Sequence, residues 1–204
     1  MLSYRKLAMR VPGRPLHTGG NDSPRPASQR AAAFILTAAM LTTLAAPAFA
    51  DTWCIENGNI TVKAGDTEGT NKVSQGSIID REDTNTIITN QETDTASSHT
   101  VTIEAKDKDD KVEVTLKDVN IDTSSQNKAA VSVTGSGNTT IKLDGDNALK
   151  SDIYRSGIYG SGSLTISGGT VTATGGNSTG IVGYGGSGIY SSSGVAISGG
   201  AVTA

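Results

Sequence analysis

The chain contains one stretch of its sequence twice. Residues 156–173 read SGIYGSGSLTISGGTVTA, and residues 187–204 read SGIYSSSGVAISGGAVTA, so every matched position is shifted by the same amount. Repeats of a fixed period in this size range are typical of solenoids, in which each unit buries its apolar face only against its neighbours. The sequence therefore predicts a solenoid before any other feature is considered.

The strands of this solenoid are marked by a period of two. Leu164 and Ile166 alternate with polar residues, the pair Gly168-Gly169 follows, and Val171 continues the alternation. Such alternation is typical of strands with one buried face, and the glycines mark a tight corner. Stacking the two copies in register places Ile166 above Ile197 and Val171 above Val202, in parallel strands about 4.8 Å apart.

This pattern predicts an all-β fold, a right-handed parallel β-helix. A β-sandwich stays open as the alternative, because the sequence alone does not show strand direction. An earlier, degenerate copy of the strand text occurs at residues 140–145, which we align with residues 163–168. This spacing is shorter than the one between the two later copies. It indicates that the strands of each turn are kept while the loops between them vary in length.

Residues 1–50 have the features of a secretory signal peptide. Six basic residues precede a mostly apolar run at 31–46, and Ala48-Phe49-Ala50 forms a small-x-small cleavage site. We predict cleavage after Ala50, a secreted or cell-surface protein and no membrane span in the mature chain; a retained anchor is the alternative. The leader holds six basic residues and one acidic residue, so its removal changes the formal net charge from −3 to −8. An acidic chain argues against nucleic acid as a partner.

After the leader we predict two regions. Residues 51–100 are expected to form an N-terminal cap with the first strands, because their apolar periodicity is weak and their turns are rich in Asp, Asn and Gly. Residues 101–204 are expected to form the β-helix repeats. The second copy ends within a strand at Ala204, so we expect the β-helix to be truncated at its C-terminus, as a fragment of a longer protein.

A family resemblance is carried by residues 129–133 (AAVSV), 140–147 (TIKLDGDN) and 164–175 (LTISGGTVTATG). These segments resemble bacterial secreted β-helix proteins described as carbohydrate-binding domain-containing, whose fold is similar to that of pectate lyases. The phrase SGGTVTA also resembles repeats of adhesin-like surface proteins. The resemblance covers about residues 101–204 and implies a polysaccharide or cell-surface glycan as the partner.

Two sets of residues are candidates for binding. Asp144, Asp146 and Asn147 offer oxygen ligands around Gly145 and predict a calcium site that Asp152 would complete if its loop folds back. A polar corner without metal is the alternative, because these residue types are also preferred in turns.

Tyr159 and Tyr190 occupy equivalent positions in the two repeats. If Ile158 and Ile189 point inward, both tyrosine rings point outward on one face. They would then form either a platform for a sugar ring or a stacking ladder that only stabilises the coil.

Catalysis is weakly indicated. His99 is the one histidine after the leader, and Lys142, Lys150 and Arg155 are the basic residues near the acidic corner. We therefore expect a non-catalytic carbohydrate-binding or adhesin-like protein. The alternatives are a calcium-dependent, pectate-type polysaccharide lyase and a purely structural surface spacer.

Overall fold

A computed structural model describes residues 50–177 and 185–204. The described chain is all-β, and its parallel strands stack into a β-solenoid of about four turns. In chain order the strands are β1 (Thr52–Cys54), β2 (Ile60–Ala64), β3 (Asn71–Gln75), β4 (Ile78–Asp83), β5 (Ile87–Thr89), β6 (Val101–Ala105), β7 (Lys111–Lys117), β8 (Asn120–Asp122), β9 (Val131–Gly135), β10 (Asn138–Ile153), β11 (Ile158–Gly160), β12 (Ser163–Gly176), β13 (Ile189–Ser191), β14 (Val195–Ser198) and β15 (Ala201–Thr203). A short 3-10 helix, Ile55–Asn57, follows β1. The predicted parallel β-helix is confirmed.

The strands form two sheets. One sheet has the order β13-β11-β9-β6-β2-β3-β4, and we call it the tyrosine sheet because β11 and β13 carry Tyr159 and Tyr190. The other sheet has the order β1-β5-β7-β10-β12-β14, with β8 beside the second half of β10 and β15 beside the second half of β12. A turn of the solenoid thus contributes one strand to the tyrosine sheet. It then contributes two consecutive segments to the other sheet, such as β7 and β8 or the two halves of β10.

The two copies of the repeat have the predicted register. Ile166 pairs with Ile197, Val171 with Val202 and Ile158 with Ile189, all between parallel strands. Alternation along each strand sends these apolar side chains into the coil, so like side chains lie above one another. The predicted columns of aliphatic residues are confirmed.

The core is a set of such columns. In the tyrosine sheet one column runs through Ile60, Val101, Val131, Ile158 and Ile189. The first four are fully buried, and Ile189 is partly buried. Burial of one aliphatic side chain of this size contributes about 1.5–3 kcal/mol relative to leaving it exposed. Stability therefore comes from the contact of each rung with the next, and few aromatic rings are needed.

The alignment of the earlier copy was wrong by two positions. Ile141 pairs with Ile166 instead of Leu164, and Leu164 pairs with Thr139. A shift of two keeps every side chain on the same face of a strand, so an alignment by apolar pattern does not detect it. The register then shifts between Leu143 and Asp146, where β10 carries one more residue than β12.

Residues 51–100 already contain parallel strands of the solenoid, since β1 pairs with β5 and β2 pairs with β6. The same region adds an antiparallel pair, because β3 runs against β2 and β4 runs against β3. The exposed strand β4 carries Asp80, Arg81 and Glu82. Charges on an edge strand oppose pairing with another chain.

The predicted leader, apart from Ala50, lies outside the described residues. Within the described ranges, no helix is long and apolar enough to cross a membrane.

Candidate functional site

Tyr159 and Tyr190 stack on the outer face of the tyrosine sheet. They are register partners in β11 and β13, and their ring centroids lie 5.6 Å apart with an angle of 17° between the ring planes. Each residue is 45% exposed, whereas the neighbouring Ile158 is fully buried. The alternation of the strand thus turns the rings outward while the isoleucine side chain enters the core.

An open groove of about 670 Å³ lies in front of this pair. Its floor includes Thr102 and Ser132, which precede Tyr159 in the same outward column of the sheet. Because Ser132 is small, the face of the Tyr159 ring that points away from Tyr190 has no large side chain of the column stacked on it. The groove therefore offers an aromatic face next to a floor of hydroxyl groups.

Several connections line the groove. One comprises residues 185–187, before β13, and two others are loops that carry charged or aromatic side chains. Lys128 lies between β8 and β9, and Tyr154 and Arg155 lie between β10 and β11. Arg155 Nε donates a hydrogen bond to Asn127 Oδ1 at 3.0 Å, which ties the two loops together. Tyr154 is 60% exposed and has a positive φ of 66°. This backbone conformation is uncommon for an aromatic residue.

The sequence predicted the two tyrosines on one outward face but neither Lys128 nor Tyr154, and it named Arg155 only as a basic residue near the acidic corner. Tyr154, Lys128 and Arg155 belong to connections outside the repeated strand text, and they meet only because successive turns stack. A periodic pattern carries no information about such side chains. The one available signal was the difference in loop length between turns.

The predicted calcium ligands are only partly brought together. Asp144 and Asp146 flank Gly145 at the corner of β10, and Asp144 Oδ2 lies 3.0 Å from Lys117 Nζ. This hydrogen bond and the charge of Asp144 raise the pKa of Lys117. Among the described residues, no group of three or more His, Cys, Asp or Glu side chains is arranged to hold a metal ion. Calcium binding at this corner stays a prediction.

Asn147 points into the coil. It is buried, and its Oδ1 accepts a hydrogen bond from the Val119 backbone N–H at 2.9 Å. Its Nδ2 donates to the Thr170 carbonyl at 3.1 Å and to the Asp144 carbonyl at 3.3 Å. The amide thus connects three successive turns, and all its hydrogen-bonding partners are backbone groups.

Asp152 lies at the far end of β10 from the corner. Its carboxylate accepts hydrogen bonds from the backbone N–H groups of Asn127 and Ile153, each at 2.6 Å. Asp152 therefore fixes the loop that carries Lys128, beside the groove.

The candidate catalytic bases are placed apart from one another. Lys142 Nζ lies 2.6 Å from Glu113 Oε1, and Lys150 Nζ lies 2.8 Å from Asp122 Oδ2. Both ion pairs are on the sheet opposite the tyrosines, whereas Arg155 lines the groove. His99 Nδ1 lies 3.0 Å from the Ile55 carbonyl oxygen, where it connects the start of β6 to the 3-10 helix.

No protein-family model, curated protein or solved structure matches the chain. The groove and its side chains therefore carry the functional argument.

Proposed function

We propose that this protein is a secreted, non-catalytic β-solenoid that binds a polysaccharide or cell-surface glycan in the groove in front of Tyr159 and Tyr190. The observation that carries the proposal is the stacked pair itself, two tyrosines in register with almost half of each residue exposed. Large aromatic side chains are rare in this chain, and these two are displayed together on one face.

The geometry suits a sugar ring. The C–H face of a pyranose packs against an aromatic face, and its hydroxyls need hydrogen-bonding partners at the edge of the contact. A ring seated above Ser132 would stack on the open face of Tyr159 as the third member of the column. The hydroxyls of Ser132 and Thr102 would then lie beneath it.

The competing interpretation is a ladder that only stabilises the coil. An aromatic pair contributes about 0.5–1.5 kcal/mol beyond the area that it buries. A pair that only stabilises the coil needs no groove with a hydroxyl floor beside it. It would stabilise the coil equally well if other side chains filled that groove. The groove therefore favours binding over a purely structural role.

The test is retention of the chain on immobilised polysaccharides, measured for the wild type and for a Tyr159→Ala/Tyr190→Ala variant. We expect retention of the wild type on at least one polymer and its loss in the variant, because the stacking face is removed. Circular dichroism should show the same strand content for both chains.

Two controls make this test specific. A Tyr159→Phe/Tyr190→Phe variant keeps both rings and should keep most of the retention. Ile79→Ala removes an exposed apolar side chain (72% exposed) on β4 and should change nothing. Unchanged retention in the double alanine variant would refute the proposal, and release of unsaturated uronides by the wild type would replace it with a lyase.

A further inference from the structure

The first inference concerns the charge of the ligand, and it rests on the proposed function. After the leader, the chain has eleven basic residues, and seven of them form ion pairs with acidic side chains. The four others are Lys106, Lys108, Lys128 and Arg155. Lys106 and Lys108 flank or occupy a turn rich in aspartate, so nearby carboxylates in the sequence offset their charge.

Lys128 and Arg155 line the groove and are its two charged residues among those the structure describes. Neither forms an ion pair with a described residue. The nearby Asp152 carboxylate does not line the groove and is occupied by the Asn127 and Ile153 backbone N–H groups. The Arg155 Nε is held by Asn127, which leaves the two terminal nitrogens of the guanidinium to bind a ligand. A positive groove on a chain with a formal charge of −8 after leader removal is a local exception to the charge of the molecule.

We propose that the groove selects a polysaccharide that carries carboxylates, a uronic acid polymer, over neutral polymers. One sugar ring would stack on Tyr159 while Arg155 binds the carboxylate through its planar fork of N–H groups. Lys128 adds a second, less directional positive charge at the same side. The net negative charge of the rest of the protein opposes unspecific binding of an acidic polymer, so binding would depend on this groove.

The test uses alginate, hyaluronan and glucuronoxylan, each beside the same polymer with its carboxyl groups reduced to alcohols. We expect the wild type to bind at least one acidic polymer, and its reduced counterpart about tenfold more weakly. Arg155→Gln should remove most of that difference, and Lys128→Gln part of it. Lys106→Gln/Lys108→Gln, which removes the two positive charges outside the groove that form no ion pair with a described residue, should leave the difference unchanged.

The outcomes separate the two proposals. Equal binding of acidic and reduced polymers, or retention on neutral polymers alone, would overturn the charge selectivity and leave polysaccharide binding in place. Retention on no polymer of either kind would overturn the proposed function.

A second inference comes from a buried carboxylate at the other end of the molecule. Asp83, at the end of β4, has no exposed surface. Its oxygens accept hydrogen bonds from Trp53 Nε1 at 2.8 Å, from the Asn85 backbone N–H at 3.0 Å and from the Asp51 backbone nitrogen at 3.2 Å. No basic side chain of the described residues forms an ion pair with it. A buried carboxylate without a positive partner is costly.

The nearest basic residue in sequence, Arg81, is engaged elsewhere, with its Nε 3.0 Å from Asp51 Oδ2. The atom placed to supply a positive charge is instead the nitrogen of Asp51. Hydrolysis of the Ala50–Asp51 peptide bond by a leader peptidase adds water across the C–N bond. Ala50 then leaves as a carboxylate, and the nitrogen of Asp51 becomes an α-ammonium group.

We infer that leader removal between Ala50 and Asp51 completes the fold, because the new α-ammonium becomes the counter-ion of Asp83. The ion pair would fix β1 against the end of β4, with Trp53 in the same hydrogen-bonded cluster. A start one residue earlier would move the ammonium by one Cα spacing, about 3.8 Å, and lose the pair.

The test expresses the full chain with its leader and compares it with a chain that carries one extra alanine between Ala50 and Asp51. Mass spectrometry of the exported proteins should give first residues Asp51 and the added alanine. Melting followed by fluorescence of Trp53, the only tryptophan, should show a Tm lower by about 5 °C in the extended chain. In an Asp83→Asn background the same extension should change the Tm by less than about 1 °C.

A second measurement does not depend on the folding of the Asp83→Asn variant. The α-amino group of Asp51 should react with acetic anhydride much more slowly than the α-amino group of the extended chain, because it is held in the ion pair. Equal reactivity, equal Tm shifts in both backgrounds, or export of a chain that begins at another residue would overturn the inference.

Discussion

At the scale of single residues, the corner of β10 has exposed polar side chains next to a buried one. Asp144 and Asp146 point to solvent, and Asn147 points into the coil, where it occupies the same column as Val171 and Val202. An inward polar residue is tolerated only when its hydrogen bonds are made. Asn147 meets this condition with backbone groups of neighbouring turns, so it works as an internal clamp.

This role predicts a large effect of Asn147→Ala. The change leaves the Val119 N–H and the Thr170 carbonyl without their side-chain partner in a buried setting, so the free energy of unfolding should fall by about 2 kcal/mol or more. Chemical denaturation measures it. Asn138→Ala, at an exposed position of the same strand, is the matched control and should cost less than about 0.5 kcal/mol. Equal effects of the two substitutions would contradict the clamp.

At the scale of elements, the contribution of an aliphatic side chain to stability depends on whether a turn of the solenoid packs on both sides of it. Val114, Ile141, Ile166 and Ile197 form one column, in which Ile166 is fully buried and Ile197 is 55% exposed. Two isoleucines of one column thus differ in how much of the side chain is buried. Ile166 contacts turns on both sides, whereas Ile197 contacts a described turn on one side.

Truncation of these two isoleucines should therefore have unequal effects. Ile166→Ala should lower the free energy of unfolding by about 2–5 kcal/mol, since it leaves a cavity between β10 and β14. Ile197→Ala should lower it by less than about 1 kcal/mol, because the side chain is half-exposed. Denaturant unfolding of the two variants provides the comparison. A loss at Ile197 as large as that at Ile166 would show that the column is not packed in this way.

The strands were largely predictable from sequence, and the loops were not. A period of two, present in both copies of the repeat, determines which side chains face inward and which strands stack, as the Ile158–Ile189 and Val171–Val202 pairs show. The one extra residue of β10 between Leu143 and Asp146 turns Asn147 inward, which the pattern did not predict. The same period also hides a shift of two positions, so Ile141 pairs with Ile166 instead of the predicted Leu164. Only the hydrogen-bond register of the folded chain reveals that shift.

At the scale of the whole molecule, the solenoid brings together residues that are far apart in the chain. Lys128, Arg155 and the two stacked tyrosines come from three turns and border one groove. The predicted site on the tyrosines could be derived from the repeat, whereas its charge could not, because the cations lie in loops of unequal length. Stacking of turns thus provides the platform, and the loops would provide its selectivity.

A crystal structure of the chain soaked with an oligosaccharide of the polymer that it retains would test polysaccharide binding at the tyrosine groove most directly. We expect a sugar ring above Ser132, stacked on the free face of Tyr159, with a carboxylate within hydrogen-bonding distance of Arg155. A sugar bound at the Asp144–Asp146 corner, or on the sheet opposite the tyrosines with the groove empty, would contradict it.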